Sequence, residues 1–254
     1  MSFGWQEVRV AARRLVTRPS FTLVAVATLG LGIGATTALW SVVDAVLLKS
    51  LPYRQPDRLV RIFSSTDGST IDRASASVPD FFDWREQSKT LSGIAAMGRW
   101  TWNLGTSGPA QRALGGYASA NFFPLVGVAP LLGRTFTPEE DRPAGPKLVV
   151  LSYGLWQSDF GGRRDVLGGK LQLDAVDYTI IGVMPKGFDL PSDVRLWIPF
   201  ALDRKTRPRS FHYLRTIARL APGATLASAQ AEMSGIARRL ETLYPDTNSG
   251  RILR

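Results

Sequence analysis

From Phe21 to Val43 the chain reads FTLVAVATLGLGIGATTALWSVV without one charged residue, and four more apolar residues follow Asp44 before Lys49. As a helix at 1.5 Å per residue, this run reaches about 34 Å, enough to cross a hydrocarbon core of about 30 Å with some tilt. A buried helix of a soluble domain rarely runs so far without a charge. A secretory leader has an apolar core of only about 7–15 residues, so these proportions fit an uncleaved anchor better. The expectation is a transmembrane helix over residues 21–48.

Arg9, Arg13, Arg14 and Arg18 stand before the run against a single Glu7, whereas only Lys49 and Arg54 follow closely behind it. Basic residues are retained on the cytoplasmic side. The four arginines therefore predict a cytoplasmic N-terminus in the inner membrane, with residues 49–254 delivered to the periplasm. Within residues 1–20, Trp5, Val8, Ala12, Leu15 and Val16 recur at three- and four-residue steps while the arginines take the other side. That is the pattern of a basic amphipathic segment lying on the lipid of the inner leaflet. Gly30, Gly32 and Gly34 form a small-residue stripe, and the Gly30/Gly34 spacing permits close approach of a second helix.

Beyond Lys49 there is no second apolar run of spanning length, so residues 49–254 should fold in water. Arg58–Ser64 and Ala113–Ser119 read as strands, with a β stretch between them over Ile94–Leu104. A helix entered through Pro79 carries Phe81, Phe82 and Trp84. Asn121 is placed to cap a short helix ending at Val126, and Thr137-Pro138-Glu139-Glu140 has the residues of a capping box. Lys147–Leu151 reads as a strand, and Ser152 caps a helix over Tyr153–Phe160 that stops at Gly161. Leu171–Leu173 and Tyr178–Val183 form a hairpin across Asp174–Asp177, and Leu196–Pro199 is a further strand. Tyr213–Leu220 alternates as a strand, Pro222-Gly223 turns, and Thr225 caps a helix with Leu226, Ala229, Met233, Ile236, Leu240 and Leu243 on one face. Strands interleaved with helices indicate an α+β class.

The same residues exclude most chemistry. No Cys is present, which removes thiolate metal sites, disulfides and a Cys nucleophile, and one His, His212, leaves no His cluster for a metal. Gly168-Gly169-Lys170 resembles a phosphate loop, but Arg164 and Leu171 stand where its first Gly and its Ser or Thr belong. The nucleophile and zinc-protease signatures G-x-S-x-G, S-x-x-K and H-E-x-x-H do not occur. Glu139, Glu140 and Asp141 fit a helix start better than an acid–base or metal cluster. His212 opens a strand and reads as a structural, hydrogen-bonded residue. The expectation is no enzyme, no cofactor and no metal. The net charge is +10, from 31 Lys and Arg against 21 Asp and Glu. That excess is scattered, with Arg204, Arg207 and Arg209 in one loop, and delivery outside the membrane argues against a nucleic-acid partner.

Several strings then carry a family resemblance. They include Leu31-Gly-Ile-Gly-Ala-Thr-Thr-Ala38, Asp44-Ala-Val-Leu-Leu-Lys-Ser-Leu-Pro-Tyr53, Ser119-Ala-Asn-Phe-Phe-Pro-Leu-Val-Gly127, Leu132-Gly-Arg-Thr-Phe-Thr-Pro-Glu-Glu-Asp141, Val150-Leu-Ser-Tyr-Gly-Leu-Trp156 and Ile180-Ile-Gly-Val-Met-Pro185. Together they resemble the FtsX-like ABC-transporter permeases with a MacB-like periplasmic core domain, in the style of the duplicated permeases often encoded apart from an ATPase. The resemblance implies a permease subunit of an export or mechanotransmission system. Its partners would be a separate ABC ATPase, a homo- or hetero-dimeric permease partner and a periplasmic partner protein. Members of this family have further spanning helices after the core domain, and the sequence stops at Arg254, so it reads as an N-terminal fragment. The alternative is a single-span, membrane-anchored periplasmic binding or sensor module. An aromatic cleft built from Trp84, Trp100 or Trp102 would favour that alternative, whereas core packing of those rings is the preferred expectation.

Overall fold

The computed structural model of the chain describes residues 19–43, 53–66, 75–105, 111–205 and 207–254. The chain divides into two compact units, Met1–Leu51 and Pro52–Arg254. In the first, helix α1 (Pro19–Val43) runs for 25 residues, roughly 37 Å. Two hydroxyls within it turn back on the helix itself. Thr28 donates to the carbonyl of Val24 and Thr36 to that of Gly32, each at 2.8 Å, so neither polar side chain needs an outside partner. Leu23, Leu29, Leu31, Ile33, Leu39 and Trp40 stand exposed around the helix. An apolar helix without a polar face is stable in lipid rather than water.

The second unit is built on one large mixed sheet. Its strands run in the order β1 (Leu59–Ile62), β11 (His212–Leu220), β4 (Leu91–Gly105), β5 (Gln111–Ala118), β10 (Leu196–Pro199), β7 (Leu148–Leu151), β9 (Val176–Val183) and β6 (Leu132–Gly133). Strand β8 (Lys170–Leu173) pairs with β9 and also with the far end of β4, through Leu104↔Leu173 and Gly105↔Gln172. That second pairing closes β4, β5, β10, β7, β9 and β8 into a ring. The short β3 (Ala76–Ser77) joins β11, and β12 (Arg251–Leu253) pairs separately with β2 (Ser64–Thr66).

Among the described residues the α-helices are α1 already given, α2 (Val78–Gln87), α3 (Phe122–Val126), α4 (Tyr153–Phe160), α5 (Leu226–Leu243) and α6 (Pro245–Asn248). Local chemistry explains where three of them begin. The hydroxyls of Ser77, Ser152 and Thr225 accept the backbone N–H of Asp80, Leu155 and Ser228. Ser228 completes a reciprocal box with Thr225, and Gly161 ends α4 at φ 60°.

Three apolar clusters hold the unit together. Phe81 and Trp84 of α2, Ile94 of β4, Leu214 of β11 and Met233, Ile236 and Leu240 of α5 form the first. The second is aromatic, with Phe122, Phe123, Phe136, Phe188 and Trp197 in mutual edge and tilted contact. The third joins one face of the ring strands to α4 through Trp102, Leu104, Leu151, Leu155, Leu171, Ile180 and Leu196. Thus β4 serves all three cores along its 15 residues.

Several expectations need correction. Asn121 sits at the N-cap of α3, but its side chain makes no cap bond. Its amide donates instead to the carbonyl of Ile94 and its oxygen accepts from Ser119, so it ties α3 to β4. Thr137–Asp141 makes turns and no helix. Only half of the box forms, with the Thr137 N–H reaching Glu140 at 3.0 Å. Asp141 is drawn away to accept the N–H groups of Ala120 and Ala201, both at 2.7 Å, and Pro143 opposes helical continuation. The β8–β9 turn is only Asp174-Ala175, both at positive φ, so β9 begins at Val176. The strand expected at Arg58–Ser64 is divided at Phe63 between β1 and β2.

Candidate functional site

The basic segment with Arg9, Arg13, Arg14 and Arg18 lies outside the described residues. Gly30 and Gly34 lie on α1 with open space around them, since an added Cβ at either would meet no atom within 4 Å. That face offers room for a second helix.

Among the described residues, a large polar assembly is buried where α2 begins. Asp80, 1% exposed, accepts from the Ser77 hydroxyl at 2.8 Å, from the Asn248 amide at 3.0 Å and from the Arg209 guanidinium at 2.5 Å. His212 Nε2 stands 3.6 Å from its other oxygen. Burial pushes the Asp80 carboxyl upward, and the contacts from His212, Asn248, Ser77 and Arg209 together outweigh it, holding the group at about 2. Arg209 also pairs with Asp83 at 2.7 Å and lies over the Tyr244 ring at 3.7 Å. Arg204 completes the layer by reaching Glu86 at 2.7 Å and Asp83 at 3.4 Å. The cluster fastens α2, the loop before β11, β11 itself and α6 to one another.

A second latch is Glu232 on α5. Its carboxylate takes the N–H of Lys89 and Thr90 and the hydroxyls of Ser88 and Thr90, at 2.5–2.9 Å for the shortest contact of each. Burial pushes its pKa upward, but these donors carry it down to about 2. In Asp141, by contrast, burial prevails over the N–H donors of Ala201, Ala120 and Phe200, and the pKa lies above the ordinary value. Glu140, expected beside it, turns to Arg134 at 2.6 Å. Glu139 and Glu140 are both held at Thr137, whereas Asp141 turns away to Ala120 and Ala201. Among the described residues no group of three His, Asp or Glu side chains gathers where a metal could be held.

His212 opens β11 as expected, and its Nδ1 lies 2.8 Å from the Ser210 carbonyl. Trp84 and Trp102 are core residues, at 1% and 5% exposure, whereas Trp100 is 58% exposed. The expected preference for core packing holds for two rings and fails for the third. Trp100 lines an open groove of about 580 Å³ with Gly98, Arg99, Leu114, Tyr213 and Arg215. Sequence reasoning did not find the Asp80 cluster. Arg209 and Asp80 are 129 positions apart, and the only available signal was three acids on α2 opposite an arginine-rich loop.

This arrangement is one of fastening, with the Asp80 and Glu232 carboxylates each held by several donors from other elements. The model of the MacB-like periplasmic core domain family matches residues 22–236, from inside α1 to within α5. No curated protein matches the chain. Solved structures share the fold. The periplasmic region of MacB from Actinobacillus actinomycetemcomitans aligns at TM-score 0.58 and 15% identity, over 78% of this chain and 88% of that one. The extracellular domain of the noncanonic ABC-type transporter YknZ from Gram-positive bacteria aligns at 0.58 and 14%, over 77% and 99%. A permease-protein domain from Porphyromonas gingivalis gives 0.59 and 16%, over 81% and 90%.

Proposed function

The chain belongs to the family of MacB-like periplasmic core domains, and from that premise we propose that it is the membrane-anchored outer part of an ABC-type permease working in export or mechanotransmission. The observation that carries this reading is the extent of the family match, which takes in the apolar helix and the α+β unit as one stretch. In this reading α1 crosses the inner membrane with Arg9, Arg13, Arg14 and Arg18 on the cytoplasmic side and the unit from Pro52 in the periplasm. The Gly30/Gly34 face meets a permease helix, homo- or hetero-dimeric, and a separate ATPase supplies the work. The outer unit acts mechanically, without catalysis and without a cofactor, and passes motion to substrate or to a periplasmic protein. The buried ion cluster and the Glu232 latch support this, because they hold the helices rigidly on the sheet. The alternative of a single-span binding module is weaker, since Trp84 and Trp102 are committed to the core and leave Trp100 alone at a groove.

The chain has no Cys, so single-cysteine reporters test the topology directly. In intact spheroplasts a membrane-impermeant maleimide should label Lys186→Cys, while Ser2→Cys should react only after lysis. Labelling of Ser2→Cys before lysis would overturn the orientation. For the permease role, photo-crosslinking from a Gly34-substituted probe should trap an integral-membrane partner whose complex hydrolyses ATP in a vanadate-sensitive way. A trapped complex without ATP hydrolysis would favour the binding module.

A further inference from the structure

Strands β4 and β11 part company in a way that leaves a sheet edge unpaired. Their register runs from Leu91↔Leu220 up to Met97↔Arg215 and stops there, where β11 is irregular between His212 and Leu214 and turns to β3. On the same side of β4, β8 does not begin to pair until Leu104. Between the two, β4 has β5 on one flank and, among the described residues, no strand on the other.

The parity of the backbone bonds shows which groups face this gap. Ala96 directs its carbonyl to Ser119 N–H and its N–H to the Ser119 hydroxyl, so even-numbered residues turn towards the β5 flank. Asn103 directs its N–H to the Asp174 carboxylate at 2.9 Å and accepts the Asp174 N–H at 3.0 Å, so odd-numbered residues turn the other way. Arg99 and Thr101 therefore offer two N–H and two C=O groups to the open flank, without a strand or backbone partner among the described residues.

The groove of about 580 Å³ described above lies at this fork. Arg99 and Arg215 line it from the two diverging strands, and neither has a carboxylate or side-chain hydrogen-bond partner among the described residues. No acidic residue lines it, while Trp100 and Tyr213 supply exposed rings. Arg112, opposite Asn103 on β5, adds a further exposed cation nearby.

We propose that this fork is a docking site for an extended, acidic polypeptide segment of a partner protein, which pairs with the β4 edge at Arg99 and Thr101. Its carboxylates meet Arg99 and Arg215, and an alternate aromatic or branched side chain lies on Trp100 and Tyr213. The chain displays the mode one step along, where the aspartate Asp174 gives its own N–H and carboxylate to the same edge. A second copy of this chain would bring its own Arg99, Arg112 and Arg215 to a fork that has no acidic lining residue, which like-charge repulsion opposes. A lipid headgroup would meet the arginines but leave the N–H and C=O groups unpaired. The inference deepens the permease reading by naming where a periplasmic protein engages the outer unit.

The test uses the full chain in detergent and a fluorescein-labelled eight-residue peptide alternating Glu with Val and Phe, read by fluorescence polarisation at physiological salt. Binding is expected, and the same peptide N-methylated on the backbone groups that face β4 should bind at least about tenfold more weakly. Thr101→Pro removes only an outward N–H from an edge position and should weaken binding by a similar factor with an unchanged circular dichroism spectrum. The double variant Arg99→Glu/Arg215→Glu should reverse the preference to a Lys-for-Glu peptide. Equal binding of the N-methylated peptide, or full displacement by phosphatidylglycerol vesicles, would show bare electrostatic attraction and overturn the proposal. Dimerisation of the chain that excludes the peptide would overturn it in favour of self-association. If no peptide binds while the cysteine reporters give the expected topology, the fork proposal falls and the permease reading stands.

Discussion

Asp80→Asn should remove one negative charge from the α2 cluster while leaving its shape intact, and the loss can be worked from the structure. The carboxyl is held at about 2 against an ordinary value of 3.8. At about 1.4 kcal/mol per unit this corresponds to roughly 2–3 kcal/mol favouring the ionised form in the folded state. The neutral amide forgoes that preference and leaves Arg209, with 11% of its side chain exposed, to Asp83 alone. For a unit of this size the change corresponds to a fall in melting temperature of roughly 5–10 °C. The sign with pH follows from the depressed pKa. The contribution is complete above about pH 3.8 and is lost as pH falls from there through about 2. Urea unfolding of the full chain in detergent, followed by tryptophan fluorescence, should therefore show a gap between wild type and Asp80→Asn that is wide at pH 7 and closes towards pH 2. A gap under about 0.5 kcal/mol at pH 7, or one of constant width down to pH 2, would refute the reasoning.

Other substitutions probe the remaining supports. Glu232→Gln should loosen the Ser88–Thr90 turn from α5, visible as faster amide exchange at Lys89 and Thr90, with the wild-type protection lost as acid carries the carboxyl through about 2. Gly115→Val should lower the melting temperature strongly, because a Cβ there would lie 2.5 Å from the Trp102 ring and 2.7 Å from Leu196; an unchanged melt would show that β5 shifts freely. Phe123→Ala should cost about 3–5 kcal/mol by opening the aromatic core, measured by the same unfolding assay. Gly34→Leu should weaken helix association in a detergent crosslinking assay while insertion stays normal, and unchanged association would remove that glycine from the interface.

Elements whose ends are set by adjacent residues were legible in the sequence. Ser152 and Thr225 each cap their own helix, Pro79 marks the entry of α2, and the alternation of β11 and the stripe of α5 emerge from short-range periodicity alone. What was not legible depends on groups far apart. Asn121 and Asp141 have the local chemistry of helix starts, yet Ile94 claims the first, and Ala120 and Ala201 claim the second. The strand ring closes through Leu104↔Leu173, a pairing that neither segment announces. Trp100 and Trp102 are two positions apart on one strand and share its pleat, and only the departure of neighbouring strands distinguishes the exposed ring from the buried one. The candidate site was harder still, since an arginine-rich loop looks like solvated surface until α2 and α6 are brought against it.

The join between β2 and β12, which lie far apart along the chain, has a mechanical meaning. Phe63 and Arg254 exchange both backbone bonds, at 2.7 and 2.9 Å, and β2 and β12 run on from that point in register. A displacement delivered at Phe63 is therefore shared at once by Arg254. The two segments therefore form a single joint, so that under the proposed permease reading a load entering at either one is borne by both instead of drawing one away from the other.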